Sequence, residues 1–591
     1  MCSFLMGLYI FAKTLIMDAK ILSKDLEINA KVVPTYKDIF DDDPNIFVSS
    51  IDAIPVQFVT IICEINALFY RYDDQDAINH DIITVLFGKV LSSTSDGKRV
   101  RNWMLQHNSN TILNSYTISQ LYITLFSINS FKPENYSIKD EDFLVLLKLV
   151  LVSNQKRMYP EDRLSFIKEN INREDLDADF FQRIAWGHNL AQVDSYVNSN
   201  FTFEACRCII MMQFLLTHDE TKSIVEKFLK RRQIDSPLTY GVLFVLIVQS
   251  IYIKDNELNF RYIAEPQLEA LLTPLCVATP PKELIDVKKH PVFRSGNFFY
   301  ILNLNYLTSQ IFTGTYFSLK NEIIKRFHND NLKSILGSIM EKHLLKPIIN
   351  NCFGGLVSKM IFDCDYSNKG FPDAMLQIGD SIFIFELKDN LLDEKTMESR
   401  DFEMITSKLE EVFVESSSKK PKAVIQVINY IEKLLVGEYD NNILRFSYDK
   451  SYNIYPIILY TDYKYNSSGI GYYIRKRFRE IIKRKEGIVS KCFRKGKVKP
   501  VTFIGLEFFF NNIQPLAKDK KMLKALIDAY HSEIKKEEHI NSIAPKPFER
   551  DLFPSFERFH SDYNYVIPPV EDPIEFFKLF GINFPQQHIL N

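Results

Sequence analysis

From about residue 45 to 275, apolar residues recur at helical spacing, as in VQFVTIICEINALFY (56–70), ISQLYITLFSI (118–128), DFLVLLKLVLV (142–152) and CRCIIMMQFLLTH (206–218). Polar breaks such as SSTSDGKR and SINSFKPENYS separate these runs, and no fixed repeat period links them. The segment TPLCVATPPKELIDVKKHP (273–291) then interrupts the helical pattern with four prolines and a charge cluster. Beyond it, VFRSGNFFYILNLNYL reads as a small hairpin, and 329–350 reads as a helix with Ile335, Ile339 and Leu344 on its apolar stripe and Asp330 or Asn331 as its cap. Strands follow around LVSKMIFDC, DAMLQIG and SIFIFELK, then helices in DFEMITSKLEEVFVE and AVIQVINYIEKLL, then strands in YPIILYTD and VTFIGLEFFF. The predicted fold class is α+β and multidomain: an all-helical N-terminal region (1–275), an α/β domain with a mixed central sheet (276–515), and a C-terminal helix with a Pro- and Phe-rich tail (516–591).

At 591 residues, 46% apolar and 25% charged, the chain has the composition of a large globular protein with more than one core. A formal net charge of −2 leaves no overall field to attract nucleic acid or membrane, so any polyanion-binding surface has to be local. The eight cysteines are scattered without CxxC pairs, which fits a reducing cytoplasm; Cys206 and Cys208 form a CxC within an apolar helix and read as buried thiols, not zinc ligands. The first 20 residues contain an apolar stretch with neither a preceding basic region nor a cleavage pattern, so they read as a docked helix or as residues upstream of a start at Met17. YGVLFVLIVQSIYI (240–253) is too short to span a bilayer, and no membrane segment is expected.

The candidate chemistry lies in KGFPDAMLQIGDSIFIFELKDN (369–390). If Gly379-Asp380 is a two-residue hairpin turn, Asp373 lies across from Glu386; a turn displaced by one residue would place it across from Leu387 or Lys388 instead. Directly opposed positions have Cβ atoms about 5 Å apart, and Glu386 and Lys388 point to one face of the strand, so on the first register three charged groups converge. Facing carboxylates in an apolar setting call for a compensating cation, and Mg²⁺, with its preference for oxygen ligands, suits them. The spacing of an acid two residues before a lysine recurs at Asp18, Asp286 and Asp462 among others, but only at 386 does it close an apolar strand beside a second carboxylate.

Residues from about 291 to 510 resemble the PD-(D/E)xK nuclease superfamily, with Pro372-Asp373 as the PD, Glu386-Leu387-Lys388 as the (D/E)xK, and LGSIMEKHL supplying the further acid Glu341 from a helix. The resemblance implies a restriction-endonuclease-like domain in which Asp373, Glu386 and Glu341 hold Mg²⁺, with Mn²⁺ as an alternative, and Lys388 serves catalysis. It also marks Gln426, on the helix after the core, as a secondary catalytic candidate. Asp363 and Asp365 offer alternative carboxylates and read first as turn residues.

From Arg475 to Lys499 there are twelve Lys or Arg against two Glu. Arg475, Lys476, Arg477, Arg479, Lys483, Arg484 and Lys485 are the candidate phosphate contacts, and Tyr472, Tyr473, Phe478 and Phe493 are interleaved with the basic residues as candidate stacking rings. The expectation is a cytoplasmic, Mg²⁺-dependent nuclease, DNA favoured over RNA, of the kind found in prokaryotic antiviral or restriction-type effectors. Its helical region would meet a protein partner, an oligomer mate or the substrate. The alternative is a non-catalytic nucleic-acid-binding or scaffold protein on a nuclease-like fold. No P-loop of the GxxxxGK[ST] type is present.

Overall fold

The apolar runs of the second half become one five-stranded sheet: β1 (Lys359–Phe362), β2 (Ala374–Ile378), β3 (Ser381–Lys388), β4 (Asn453–Tyr460) and β5 (Thr502–Gly505). Its spatial order is β5-β4-β3-β2-β1, antiparallel from β1 to β3 and parallel from β3 to β5. This computed structural model describes residues 33–71, 75–107, 109–113, 115–157, 201–253, 260–327, 337–366, 370–399, 401–441, 444–537 and 553–560. The first 20 residues, the cap candidates Asp330 and Asn331, Ile335 and the end of the tail lie outside them.

The helices that matter below are α1 (Phe201–Leu216), α2 (Pro237–Ile253), α3 (Lys346–Phe353), α4 (Ala423–Leu435), α5 (Ile470–Arg484) and α6 (Met522–Glu537). Strand β3 reads as a continuous apolar run because helices cover both faces of the sheet. Ile382 and Ile384 pack with Met375, Ile361 and Ile458 under α4 and α5, which contribute Val424, Val427, Ile431, Ile474, Phe478 and Ile482. Phe383, Phe385 and Leu387 pack on the other face with Tyr455, Ile457 and Leu459, under α3 and α6.

That second core does not stop at residue 275. Helix α1 is buried on nearly every side, its charged Glu204 and Arg207 included along with Phe203, Cys206, Cys208, Ile209, Met211 and Met212, so it needs cover almost all round. It packs against α2 and joins the core beneath the sheet. Cys206 and Cys208 are free buried thiols there. A separate core gathers residues 36–152 and draws in Leu284, Val287, Phe293, Leu302 and Tyr306 from beyond the proline-rich segment. The expected all-helical region also holds three short strands, Ala53–Pro55, Ser130–Lys132 and Arg261–Ile263; three residues are too few to leave a period-two signature. Arg261–Ile263 pairs with the hairpin Val292–Ser295 and Phe298–Ile301, which turns at Gly296 with φ 53°. Among the described residues, no helix is long and apolar enough to cross a membrane.

The C-terminal segment belongs to the same body. Leu523, Leu526, Ile527, Tyr530 and Ile534 of α6 enter the sheet core, as do Phe553 and Phe556. Glu557 is buried at the end of β5, where it accepts the Gly505 N–H. Burial raises its carboxyl to about 7, against the Gly505 N–H, which favours the charged form. The unfolded chain releases this proton near the ordinary carboxylate value, whereas the folded chain keeps it to about pH 7. Stability therefore falls as pH rises across that window, by about 3 kcal/mol at most. Glu557→Gln should flatten the decline of the thermal midpoint between pH 5 and 7.5 relative to wild type, and an unchanged slope would count against this origin.

Candidate functional site

The β2–β3 pairing runs Ile378↔Ser381, Leu376↔Phe383 and Ala374↔Phe385, with Gly379-Asp380 as a two-residue turn. Gly379 has φ 58°, a left-handed value, while Asp380 is not among the residues with positive φ; glycine at the first central position belongs to the type II′ turn. Lys524 of α6 pairs with Asp380 at 3.1 Å and holds the turn to the sheet core. One step past Ala374↔Phe385, this register sets Asp373 opposite Glu386. On the other side, β1 pairs Phe362 with Ala374, and the next backbone bond runs from the Asp363 N–H to the Asp373 carbonyl at 3.3 Å. Three neighbouring chain segments therefore carry Asp363, Asp373 and Glu386 in one row across the sheet, strands being spaced about 4.8 Å apart. Side-chain alternation puts all three on the face covered by α4.

Glu386 is 2% exposed. Lys388 Nζ lies 2.6 Å from its Oε1, while its Oε2 is buried without a hydrogen-bond partner. Asp373 Oδ2 accepts the Leu387 N–H at 2.5 Å, which fixes the carboxylate against the end of β3. Burial raises the Asp373 carboxyl well above its ordinary range, and the charges of Glu386 and Glu341 push the same way. Glu386 is also raised, by burial first, with Lys388 opposing. Burial disfavours the Lys388 ammonium, but Glu386 and Asp373 outweigh it and leave Lys388 above its ordinary value. Lys388 is thus a fixed cation at neutral pH, suited to meeting developing negative charge and not to taking a proton.

Glu341 opens the π-helical turn Glu341–Leu345 that leads into α3; it is half-buried, and its charge reaches Asp373 and Lys388. On α4, the Tyr430 hydroxyl approaches Glu386 and favours its charged form, while Gln426, one turn earlier on the same stripe, has a buried Oε1 without a hydrogen-bond partner. Asp363 and Asp365 do form a short 3₁₀ turn. Asp365 pairs with Lys346, whereas Asp363 accepts the Phe371 N–H and its charge is felt at Glu386. Tyr430 is absent from the sequence-based set because an aromatic on a helical stripe looks like core. Asp363 was set aside because the loop from 363 to 373 does not reveal its register.

The basic segment separates into parts. Arg475 is buried on the inner side of α5; Arg477 pairs with Glu410 at 2.5 Å and with Glu480; Lys485 pairs with Glu432 at 2.5 Å. Lys476 and Arg479 are half-buried, and Lys483 and Arg484 are exposed, with Lys491, Arg494 and Lys495 beyond them. Tyr472 and Phe478 are buried, Tyr472 stacked on Phe553 with 4.1 Å between ring centroids, and the Tyr473 hydroxyl donates to Glu410. These three rings are committed to the fold, not open to bases.

Compared with family models, with curated proteins and with solved structures, the chain matches none. The chemistry must be judged from the site itself. Among the described residues, no group of three or more His, Cys, Asp or Glu side chains meets the arrangement of a metal site. The fit to a divalent cation rests on Asp373 and the unsatisfied Oε2 of Glu386; Mg²⁺ binds through one or two carboxylates plus water and phosphate, so this donor pair fits it.

Tyr430→Phe should raise the Glu386 carboxyl further, visible as a carboxyl titration by NMR shifted to higher pH, and no shift would remove Tyr430 from the site. Asp373→Asn keeps an acceptor for the Leu387 N–H and deletes one of two repelling buried charges. It should raise the thermal midpoint of the metal-free protein at pH 8, where wild type carries the strain of ionising the pair.

Proposed function

We propose that this chain is a metal-dependent phosphodiesterase acting on nucleic acid, with DNA favoured over RNA. The observation that carries the reading is the end of β3: Asp373 and Glu386 opposed across a hairpin, Glu386 with an unsatisfied buried oxygen, and the Lys388 ammonium held on the same face. Asp373 and Glu386 would hold Mg²⁺ or Mn²⁺, with Glu341 at the margin, and the bound ion would supply Lewis acidity to the phosphate and to an attacking water. Around it, the Leu387 N–H fixes the Asp373 carboxylate, Lys388 and then Tyr430 favour the charged form of Glu386 against its burial, and Lys388 offers positive charge to a phosphoryl oxygen. The resemblance to PD-(D/E)xK nucleases supports the same assignment. Lys483 and Arg484, at the exposed end of α5, are the basic positions open to a phosphate backbone.

Plasmid, linear and single-stranded DNA and RNA, incubated with Mg²⁺ or Mn²⁺, test the proposal. Wild type should cut at least one, and Asp373→Ala and Lys388→Ala should each lose about 10²-fold or more in rate. A wild type that cuts nothing, or variants that cut equally well, would overturn it. Mg²⁺ should raise the thermal midpoint of wild type but not that of Asp373→Ala. Lys483→Glu with Arg484→Glu should weaken DNA binding and lower its salt slope by about 2, whereas Arg477→Ala should reduce thermal stability more than binding.

A further inference from the structure

The segment that leaves β3 directly after Lys388 is clamped by buried charges that come in part from the helical half. Arg207 of α1, 1% exposed in its side chain, donates from Nη2 to Asp389 Oδ1 at 2.7 Å and to Thr461 Oγ1 at 3.2 Å, and from Nη1 to Glu204 Oε1 at 2.9 Å. Its guanidinium lies 3.8 Å above the centre of the Phe312 ring. Thr461, just past the end of β4, also donates to Asp389. Three residues on, the Leu392 N–H donates to Asp462 at 2.7 Å. Glu394 is then gripped by two lysines, Lys464 after β4 and Lys288 from the short helix Leu284–Lys289. Two of the three cations in this cluster, Arg207 and Lys288, thus lie in chain segments that precede the sheet.

We infer that Arg207 is a positioning residue for Lys388: by fixing Asp389 it sets the path of the chain next to Lys388, so that the site depends on α1 being seated. Three observations carry this. The clamp begins at the residue adjoining Lys388. A flat, multiply donating guanidinium serves Glu204, Asp389 and Thr461 at once, which an ammonium cannot reproduce. The cluster lies beyond the carboxyl ends of the parallel strands β3 and β4, where open α/β sheets bind ligands. Burying this many charges is not needed for stability, since apolar replacements often serve as well, whereas removing one member leaves its partners uncompensated.

The inference rests on the nuclease reading for its catalytic consequence, so the test has two readouts. In the full-length chain, Arg207→Ala, Arg207→Lys and Asp389→Asn are compared with wild type. The first readout is the rate at which an amine-reactive reagent acylates Lys388 at one fixed pH, followed by mass spectrometry as a measure of its accessibility, with Lys132, paired to Asp142 beside the other core, as control. Lys388 labelling should rise on the order of tenfold as the chain beside it loosens and its ammonium opens to the reagent, with Lys132 unchanged. The second readout is cleavage: kcat should fall on the order of tenfold with KM nearly constant, since the substrate-binding surface is untouched. Asp389→Asn preserves shape and keeps the test open if Arg207→Ala does not fold. Unchanged Lys388 labelling in the folded variants, or equal rises at Lys388 and Lys132, would overturn the inference. A wild type without cleavage would overturn the nuclease reading instead, and the labelling would still decide the role of Arg207.

Discussion

The end of β3 carries a dense set of buried charges, and the surrounding structure is arranged to tolerate it. Two carboxylates and an ammonium within one apolar layer are stable only if each is held at a fixed place, because a shift of about an ångström turns attraction into an unpaired buried charge. The continuous apolar run of β3, covered on both faces, supplies the rigidity. The hairpin turn sets which carboxylate faces which, and the Leu387 N–H, Tyr430 and Lys388 take up part of the electrostatic cost. What is left over is one carboxylate oxygen, Glu386 Oε2, buried without a hydrogen-bond partner.

The rest of the architecture supports this layer from three directions. Helix α4 closes the carboxylate face and brings Tyr430 and Gln426 to it. Helix α6 secures the turn through Lys524 and Asp380. Helix α1 reaches under the sheet and anchors the chain that leaves Lys388. These contacts come from both sides of the proline-rich segment, which is why a boundary drawn from composition does not coincide with a break in packing.

The opposition of Asp373 and Glu386 was one of the registers that a Gly-Asp turn between two apolar runs allows; the sequence also permits a one-residue slip toward Leu387 or Lys388, and the strand pairing selects the first. The strand segments and a mixed sheet were legible because runs of four to eight apolar residues lie between turn residues, whereas the spatial order of the strands comes only from the structure. Asp363 was harder, since its place in the row depends on an eleven-residue connection whose length does not set register. The basic segment misled in a different way. Arg475 falls beside the apolar stripe of Ile474, Phe478 and Ile482, so helical geometry turns it inward, and a count of charges along the chain cannot see that. The depth of α1 was hinted at by the apolar run around its CxC, but what would cover it, and that Glu204 and Arg207 would be buried with it, could be known only from the tertiary structure.

The near-complete burial of α1 has a consequence for how the protein is made. Helix α1 leaves the ribosome well before β3, β4 and α6, the elements that complete its covering core, which extends to Phe556. At roughly 5–20 residues per second, the wait is on the order of tens of seconds. During synthesis a mostly apolar helix about four turns long lacks most of its final cover, the condition in which exposed hydrophobic surface makes a nascent chain prone to aggregate.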